Sequence, residues 1–260
     1  IWPRSSHRSS LPGKHSSPIP YPPSIPMLLP LLLTVLAAPQ DAEPKPVWTG
    51  ALTAGISATE GNTDIKKASA TADAKKELAE SRYTFGLSWN FSQESDLITQ
   101  RKSFGKAQYD RFFTEKAYWL AQSSAEADVQ AGVDLRTTFG AGAGRQLLST
   151  DKWDVSAELG LTWFNQEEAA SESQSYMAAR VAYNLGWKPN DRWELLQSAE
   201  VYPSVEDTAD VYSKLDTRAK ATIGDNMFAQ VQWVMDWDNT PASGADRVDS
   251  LFLLTIGWKF

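Results

Sequence analysis

Tyr83-Thr-Phe-Gly-Leu-Ser-Trp-Asn-Phe-Ser92 alternates one apolar residue with one small or polar residue along its whole length. A period of two places successive side chains on opposite faces of an extended chain, so this stretch predicts a β-strand with one apolar and one polar face. The same rule holds in 153–163, 177–187, 227–237 and 248–260. The repetition predicts an all-β protein.

The alternation extends over about twelve segments that are separated by turn-forming or charged residues. The predicted strands are residues 47–59, 64–78, 82–92, 103–113, 117–127, 132–148, 153–165, 175–187, 193–203, 209–223, 227–238 and 247–260. Two regions, 64–80 and 115–132, are rich in Ala, Lys and Glu and also have helical propensity. We predict strands there, because an even strand number brings both chain ends to one end of a barrel.

The connections differ in length according to the end of the barrel on which they fall. Those after even-numbered strands are short, namely 79–81, 114–116, 149–152, 188–192 and 224–226. Most of those after odd-numbered strands are longer, with 93–102, 166–174 and 239–246 among them. Short periplasmic turns and longer external loops are typical of an antiparallel up-and-down barrel in the outer membrane.

The amino-terminal part of the chain has a different composition. Residues 1–26 are rich in Ser and Pro and predict a disordered or untranslated leader. Residues 27–42 start at the first methionine, Met27, and continue as a short apolar run that ends in small residues. That layout predicts a signal peptide and its cleavage zone, which leaves 43–260 as the outer-membrane β-barrel.

Composition excludes several classes of protein. The net charge of −7 offers no basic stripe for nucleic acid, and no apolar run approaches the roughly 20 residues that a spanning helix needs. The chain has no cysteine, and its two histidines, His7 and His15, precede the predicted signal peptide. Without His or Cys, the common nucleophilic triads and zinc sites lack a required group. We therefore predict a non-enzyme with no catalytic residues, no cofactor and no metal site.

The period of two does not say whether the apolar face points outward or inward. A soluble β-sandwich or lipocalin-like barrel would turn its apolar face inward. The secretion signal and the tryptophans near both ends of the predicted strands favour a membrane barrel. These residues are Trp48, Trp153, Trp187, Trp193 and Trp258 at the predicted periplasmic ends, with Trp163 and Trp237 at the opposite ends.

Three stretches resemble a known family. They are Val47-Trp-Thr-Gly-Ala-Leu-Thr-Ala-Gly-Ile-Ser-Ala-Thr-Glu-Gly-Asn62, Leu135-Arg-Thr-Thr-Phe-Gly-Ala-Gly-Ala-Gly144, and Asp236-Trp-Asp-Asn-Thr-Pro241 followed by Ile256-Gly-Trp-Lys-Phe260. Together they are similar to the YdiY-like family of salt-induced outer membrane proteins, a domain family of unknown function. The resemblance covers about residues 47–260 and implies a signal-bearing outer-membrane barrel with no established catalytic residues.

The last predicted strand ends in a row of apolar residues on one face. That row, Phe252, Leu254, Ile256, Trp258 and Phe260, looks like the carboxyl-terminal signal by which the barrel-assembly machinery recognises its clients. A lipid-facing last strand would have the same pattern, and both interpretations can hold together.

The residues between the apolar positions would face the lumen. The charged lumen-lining candidates are Lys106, Asp110, Asp134, Arg136, Glu158, Arg180, Glu200, Asp216, Arg218, Lys220 and Asp236. Opposed acidic and basic rows can set the selectivity of a narrow pore, or they can pair and fill the lumen. Gly140, Gly142 and Gly144 lie on one face of a predicted strand, where they let the strand bend or let an inner side chain approach the wall.

We therefore predict a porin-like passive diffusion channel or an envelope-structural protein, with a link to salt or osmotic stress. The alternatives are a barrel-embedded outer-membrane hydrolase and a periplasmic lipocalin-like binding protein. The predicted partners are outer-membrane lipid and lipopolysaccharide, with the barrel-assembly machinery and periplasmic chaperones during biogenesis, and no nucleic acid.

Overall fold

The computed structural model describes residues 47–59, 64–168, 173–241 and 246–260. The predicted leader, 1–26, and signal peptide, 27–42, lie outside these described residues. The strands are β1 Thr49–Thr59, β2 Ile65–Glu77, β3 Ser81–Glu94, β4 Leu97–Phe112, β5 Ala117–Asp128, β6 Val133–Ser149, β7 Trp153–Glu168, β8 Gln174–Asn190, β9 Trp193–Pro203, β10 Val211–Thr222, β11 Met227–Asp238 and β12 Val248–Lys259. No helix in the described part of the chain is long and apolar enough to cross a bilayer.

The strands form one closed antiparallel sheet. Each strand pairs with the next along the chain, and β12 returns to pair with β1. The prediction of a twelve-strand up-and-down barrel is confirmed. β2 and β5, whose composition also suits helices, are strands because closure of the sheet gives their backbone groups partners on both sides.

Most apolar side chains of the strands point away from the barrel axis. Phe252 and Leu254 on β12 are 72% and 75% exposed on the outer wall. Asp110 and Arg180 point inward and are almost fully buried. This arrangement is the reverse of a soluble lipocalin-like barrel, whose apolar face would point inward.

The two ends of the barrel differ in their connections. We call the end at which β1 begins and β12 ends the turn end; its connections are 78–80, 113–116, 150–152, 191–192 and 223–226. The opposite end is the loop end, with connections 60–64, 95–96, 129–132, 169–173, 204–210 and 239–247.

One loop-end connection is much shorter than the sequence predicts. The expected loop 93–102 is a two-residue turn, Ser95-Asp96, between the paired residues Glu94 and Leu97. Both turn residues have positive φ, 45° and 69°, as a type I′ hairpin turn requires. The prediction of a long loop was wrong because Asp tolerates this conformation and no Gly or Asn marks the turn.

Outward aromatic side chains lie near both ends of the wall. At the turn end, Trp153 and Trp187 are cross-strand partners whose rings stack at 5.4 Å. Towards the loop end, Phe139 and Trp163 stack at 6.1 Å. Such pairs suit the two interfaces of a bilayer.

The seam that closes the barrel is short. β1 and β12 pair from Ala51↔Lys259 to Ala54↔Ile256, whereas β1 and β2 pair over the whole of Thr49–Thr59. Within the described chain, residues 55–59 therefore have no pairing partner on β12. Ile56, just beyond the last pair, is 90% exposed.

Candidate functional site

The inward faces of the strands build a charged lumen. Of the predicted lumen-lining residues, Asp110, Arg136, Glu158, Arg180 and Lys220 are buried inside the barrel. Lys106, Glu200, Asp216, Arg218 and Asp236 line its internal cavity. These ten positions share the parity of the polar side chains along their strands, because neighbours two apart lie on the same face.

Asp134 is the exception among the predicted lumen residues. The pairing of β6 with β7 shifts between Val133 and Leu135, which are partners of Glu168 and Glu167. This irregularity lets Val133, 3% exposed, take the inward position and leaves Asp134 exposed. The assignment of Asp134 to the lumen was wrong because a β-bulge resets the alternation.

A network of charged groups crosses the middle of the lumen. Arg180 on β8 donates to Glu158 at 2.8 Å and to Glu200 at 2.9 Å. Glu200 also accepts from Lys106, which reaches it from β4 on the opposite wall. Glu158 accepts a further hydrogen bond from Tyr118 at 2.8 Å. The network joins two sides of the barrel and satisfies groups that would be costly to bury alone.

The glycines of β6 make room for part of this network. A Cβ atom on Gly144 would lie 2.3 Å from the ring of Tyr118. A Cβ on Gly142 would lie 2.3 Å from the carbonyl oxygen of Leu159 on β7. The prediction that an inner side chain approaches the wall at these glycines is confirmed at Gly144.

A second network lies nearer the loop end, and we call it the loop-end cluster. Its members are Lys102, Glu126, Asp128, Arg136, Lys214 and Asp236. The Lys102 ammonium lies 2.6 Å from Asp236 and 2.9 Å from Asp128, and that of Lys214 lies 2.7 Å from Glu126. Since these residues come from β4, β5, β6, β10 and β11, their contacts cross the lumen.

Aromatic side chains fill the lumen beside the loop-end cluster. Phe164 is 1% exposed, and its ring centre lies 5.0 Å from that of Tyr176 and 5.1 Å from that of Tyr202. Tyr212 packs with Phe164 and Tyr202, and the Arg136 guanidinium lies 4.6 Å from the ring centre of Tyr212. This side of the lumen is closed by packed rings as well as by ion pairs.

The rest of the lumen is an open space that we call the turn-end cavity. It has a volume of about 660 Å³ and reaches from Lys188 and Glu194 at the turn end to Lys102, Asp236 and Asp249. A separate cavity of about 50 Å³ at the loop end is also lined by Lys102, Asp236 and Asp249. A layer of side chains therefore separates the two spaces.

Sequence reasoning missed several members of the loop-end cluster, namely Lys102, Glu126, Asp128 and Lys214. Lys214 has the same parity as the predicted Asp216 and Arg218, and Lys102 has that of Lys106. Lys214 already lies within the predicted strand 209–223, and extension of the strand 103–113 by one residue would have included Lys102. Among the described residues, no three His, Cys, Asp or Glu are arranged to hold a metal ion.

Several solved barrels are similar to this chain. The NanC porin is 6% identical, with a TM-score of 0.49, over 82% of this chain and 100% of that one. The KdgM porin is 10% identical, with a TM-score of 0.44, over 82% and 99%. The translocator domain of autotransporter NalP from Neisseria meningitidis is 13% identical, with a TM-score of 0.44, over 82% and 88%.

No curated protein matches the chain. The family described as protein of unknown function, DUF481, matches residues 52–260, which include nearly the whole barrel. The chain belongs to this family.

Proposed function

We propose that the chain spans the bacterial outer membrane as a passive diffusion channel whose lumen is closed near the loop end by side chains. The outer wall supports the membrane location, since a continuous band of exposed apolar and aromatic side chains suits lipid and not water. The inward face is charged and partly open, which suits the passage of small polar solutes.

The observation that carries this proposal is that only a thin layer of side chains, the barrier, separates the turn-end cavity from the loop-end cavity. Lys102, Asp236 and Asp249 line both the turn-end cavity and the small loop-end cavity. Movement of a few side chains would therefore join the two spaces without unfolding any strand. Side chains change rotamer far faster than barrel strands separate, so such a barrier is compatible with conduction.

The charged side chains of the barrier also affect the ion selectivity of the channel. Lys102 lies within 4.0 Å of Glu126, Asp128, Asp236 and Asp249, so it neutralises an acidic surrounding. Loss of this ammonium would leave several carboxylates facing one another, and their repulsion would widen the passage and favour cations.

The test is single-channel conductance of the barrel in a planar bilayer. We expect small discrete steps for the parent protein, and larger, more cation-selective steps for Lys102→Ala. Arg218→Ala, in the open half, should alter ion selectivity more than step size. Arg111→Ala is the matched control, because its partner Glu80 is exposed at the turn end and both lie outside the lumen. Silence of the parent and of Lys102→Ala, with both folded, would refute the channel.

A second candidate is an envelope-structural barrel with a permanently closed lumen. Contacts between opposite walls, such as Lys106 with Glu200 and Lys102 with Asp236, favour this reading. The same conductance series separates the two, because a structural barrel stays silent when the loop-end cluster is weakened.

We place the turn end in the periplasm, on the asymmetry of the connections, and propose secretion by the signal peptide at 27–42. Recognition of the row from Phe252 to Phe260 by the assembly machinery is supported by its position on the outer wall next to the barrel seam. Lipid and lipopolysaccharide are the proposed partners of that wall.

The link to salt or osmotic stress rests on the resemblance of 47–62 and of the carboxyl end to salt-induced proteins. Protein abundance after a salt upshift tests it.

We also propose that the barrel is not an enzyme, because residues 43–260 contain neither His nor Cys.

A further inference from the structure

The wall of the turn-end cavity carries an apolar strip. Leu251 and Leu253 on β12 and Val234 on β11 line the cavity, although most inward positions of the barrel are polar. Phe252 and Leu254, the intervening residues of β12, point to the outer wall. β12 is therefore apolar on both faces over this stretch. An inner face that contacts only water does not need apolar side chains.

A lysine whose ammonium makes no ion pair within the described chain lies beside this strip. Lys220 on β10 is 8% exposed and lines the cavity. Among the described residues, no carboxylate oxygen lies within 4.0 Å of its ammonium, which is 5.2 Å from the ring centre of Phe228. Arg218, two residues away on the same face, is by contrast paired with Asp73 at 2.7 Å and Asp216 at 2.6 Å.

The strand register places the lysine next to the strip. Lys220 is the cross-strand partner of Glu194 on β9, whose carboxylate lies within 4.0 Å of Lys188 and Lys259. On its other side Lys220 is the partner of Gln230, which is the partner of Thr255 on β12. The Thr255 hydroxyl is buried and has no hydrogen-bond partner among the residues that the structure describes. Leu253 and Leu251 follow Thr255 on the same face, so the strip starts at the level of the lysine and extends about 13 Å towards the loop end.

The pairing of β12 with β1 also ends beside the strip. Pairing with β1 stops at Ile256, so the backbone of β12 at Leu253 and Leu251 has no partner on that side within the described chain. Unpaired backbone groups are costly in hydrocarbon, so a continuous hydrogen-bonded wall would be expected here if nothing passed or bound.

We propose that the turn-end cavity binds a single-chain lipid with an anionic head group. The head group lies against Lys220, and the acyl chain lies along Leu253, Leu251 and Val234. A carboxylate or phosphate supplies the close ion pair that Lys220 lacks within the described chain, and the acyl chain covers apolar surface that otherwise faces water. The cavity volume of about 660 Å³ falls within the range of small-molecule sites. This binding site stands independently of the channel proposal.

The test uses the alternation of β12 as its internal reference. The protein is purified from membranes, placed in phosphatidylcholine nanodiscs and exposed to tetradecanoic acid that carries a photoreactive diazirine in its chain. Mass spectrometry then compares labelling of Leu251 and Leu253, which face the cavity, with that of Phe252 and Leu254, which face the bilayer. Probe dissolved in the bilayer labels only the second pair, so the ratio reports occupancy of the cavity.

We expect cavity labelling in the parent protein, a drop of about tenfold in Lys220→Gln, and retention in Lys220→Arg. Lys188→Gln is the matched control, because Lys188 lies at the same mouth but is largely exposed and lies 3.6 Å from Glu194. The corresponding tetradecanol probe, which has no charge, should label only the bilayer face. Heat-modifiable gel mobility must show that each variant is folded.

Three outcomes would overturn the proposal. The first is labelling of the bilayer face alone in the parent protein. The second is equal cavity labelling by the acid and the alcohol, which would mean a non-specific apolar space. The third is full displacement of the probe by inorganic phosphate at equal concentration, which would mean a site for small anions without a lipid chain. None of these outcomes depends on whether the barrel conducts.

Discussion

The same alternation of inward and outward residues builds the loop-end half and the turn-end half of the lumen, but side chains fill the first half and leave the second open. In the loop-end half, Lys102 and Lys214 lie between carboxylates and Phe164 is packed among tyrosines. In the turn-end half, Lys220 makes no ion pair within the described chain, and the cavity stays open.

The difference comes from the size and reach of the inward side chains. The crowded half projects long charged and aromatic groups that meet across the lumen. The open half is lined by short residues such as Thr84, Gly86, Ser88, Ser156 and Ser198. A barrel of fixed strand number thus becomes closed or open through its side chains alone.

The largest expected difference in stability is between substitutions of two cationic side chains, Arg180 and Lys220. Arg180→Met should lower the free energy of unfolding by about 4 kcal/mol, because it removes the buried guanidinium that lies between the carboxylates of Glu158 and Glu200. Lys220→Met should change it by less than about 1 kcal/mol, because no ion pair of the described chain is lost and Glu194, across from it on β9, keeps Lys188 and Lys259. Denaturant unfolding in lipid vesicles measures both. Equal losses would show that the two halves are not electrostatically different.

A smaller contrast is expected for apolar side chains. Phe164→Ala should cost about 3 kcal/mol, because it removes a buried ring from contact with Tyr176 and Tyr202. Leu251→Ala should cost about 1 kcal/mol, since that side chain is only partly buried against the open cavity. The same unfolding assay applies, and a cost for Leu251→Ala as large as that for Phe164→Ala would argue for a packed turn-end half.

The smallest contrast concerns two inward glycines. Gly144→Ala should cost about 2 kcal/mol, because the new Cβ would displace the ring of Tyr118 and disturb its hydrogen bond to Glu158. Gly86→Ala should be within about 0.5 kcal/mol of the parent, since the nearest atom to its Cβ is 3.6 Å away. The account predicts different melting temperatures for the two variants, and matching ones would contradict it.

Much of the fold could be predicted from the sequence, because one period of two governs almost every strand. The alternation indicates which residues share a face, so ten of the eleven predicted lumen residues lie inside. It fails at Asp134, where a bulge changes the parity, and at 93–102, where Ser95 and Asp96 turn without a glycine. Both failures are local backbone events that hydrophobic pattern does not encode.

The pairing of charges could not be predicted in the same way. Lys106 on β4 meets Glu200 on β9, and Lys102 meets Asp236, only because barrel closure brings distant strands to opposite walls of one lumen. Strand number and parity do not fix which carboxylate faces which cation, since strand tilt and stagger decide the level of each residue. The division of the lumen into a closed and an open half therefore appears only in the three-dimensional arrangement.

The most direct test of this division is the reactivity of a single cysteine on either side of the loop-end cluster. The chain contains no cysteine, so Ser198→Cys places one thiol in the turn-end cavity, and Asp246→Cys places one in the loop-end cavity as the control. A membrane-impermeant thiol reagent is added from one side of the bilayer at a time. The account predicts that Ser198→Cys reacts only from the turn end, and from both ends once Lys102→Ala is added. Equal reaction of Ser198→Cys from both ends without that second change would contradict it.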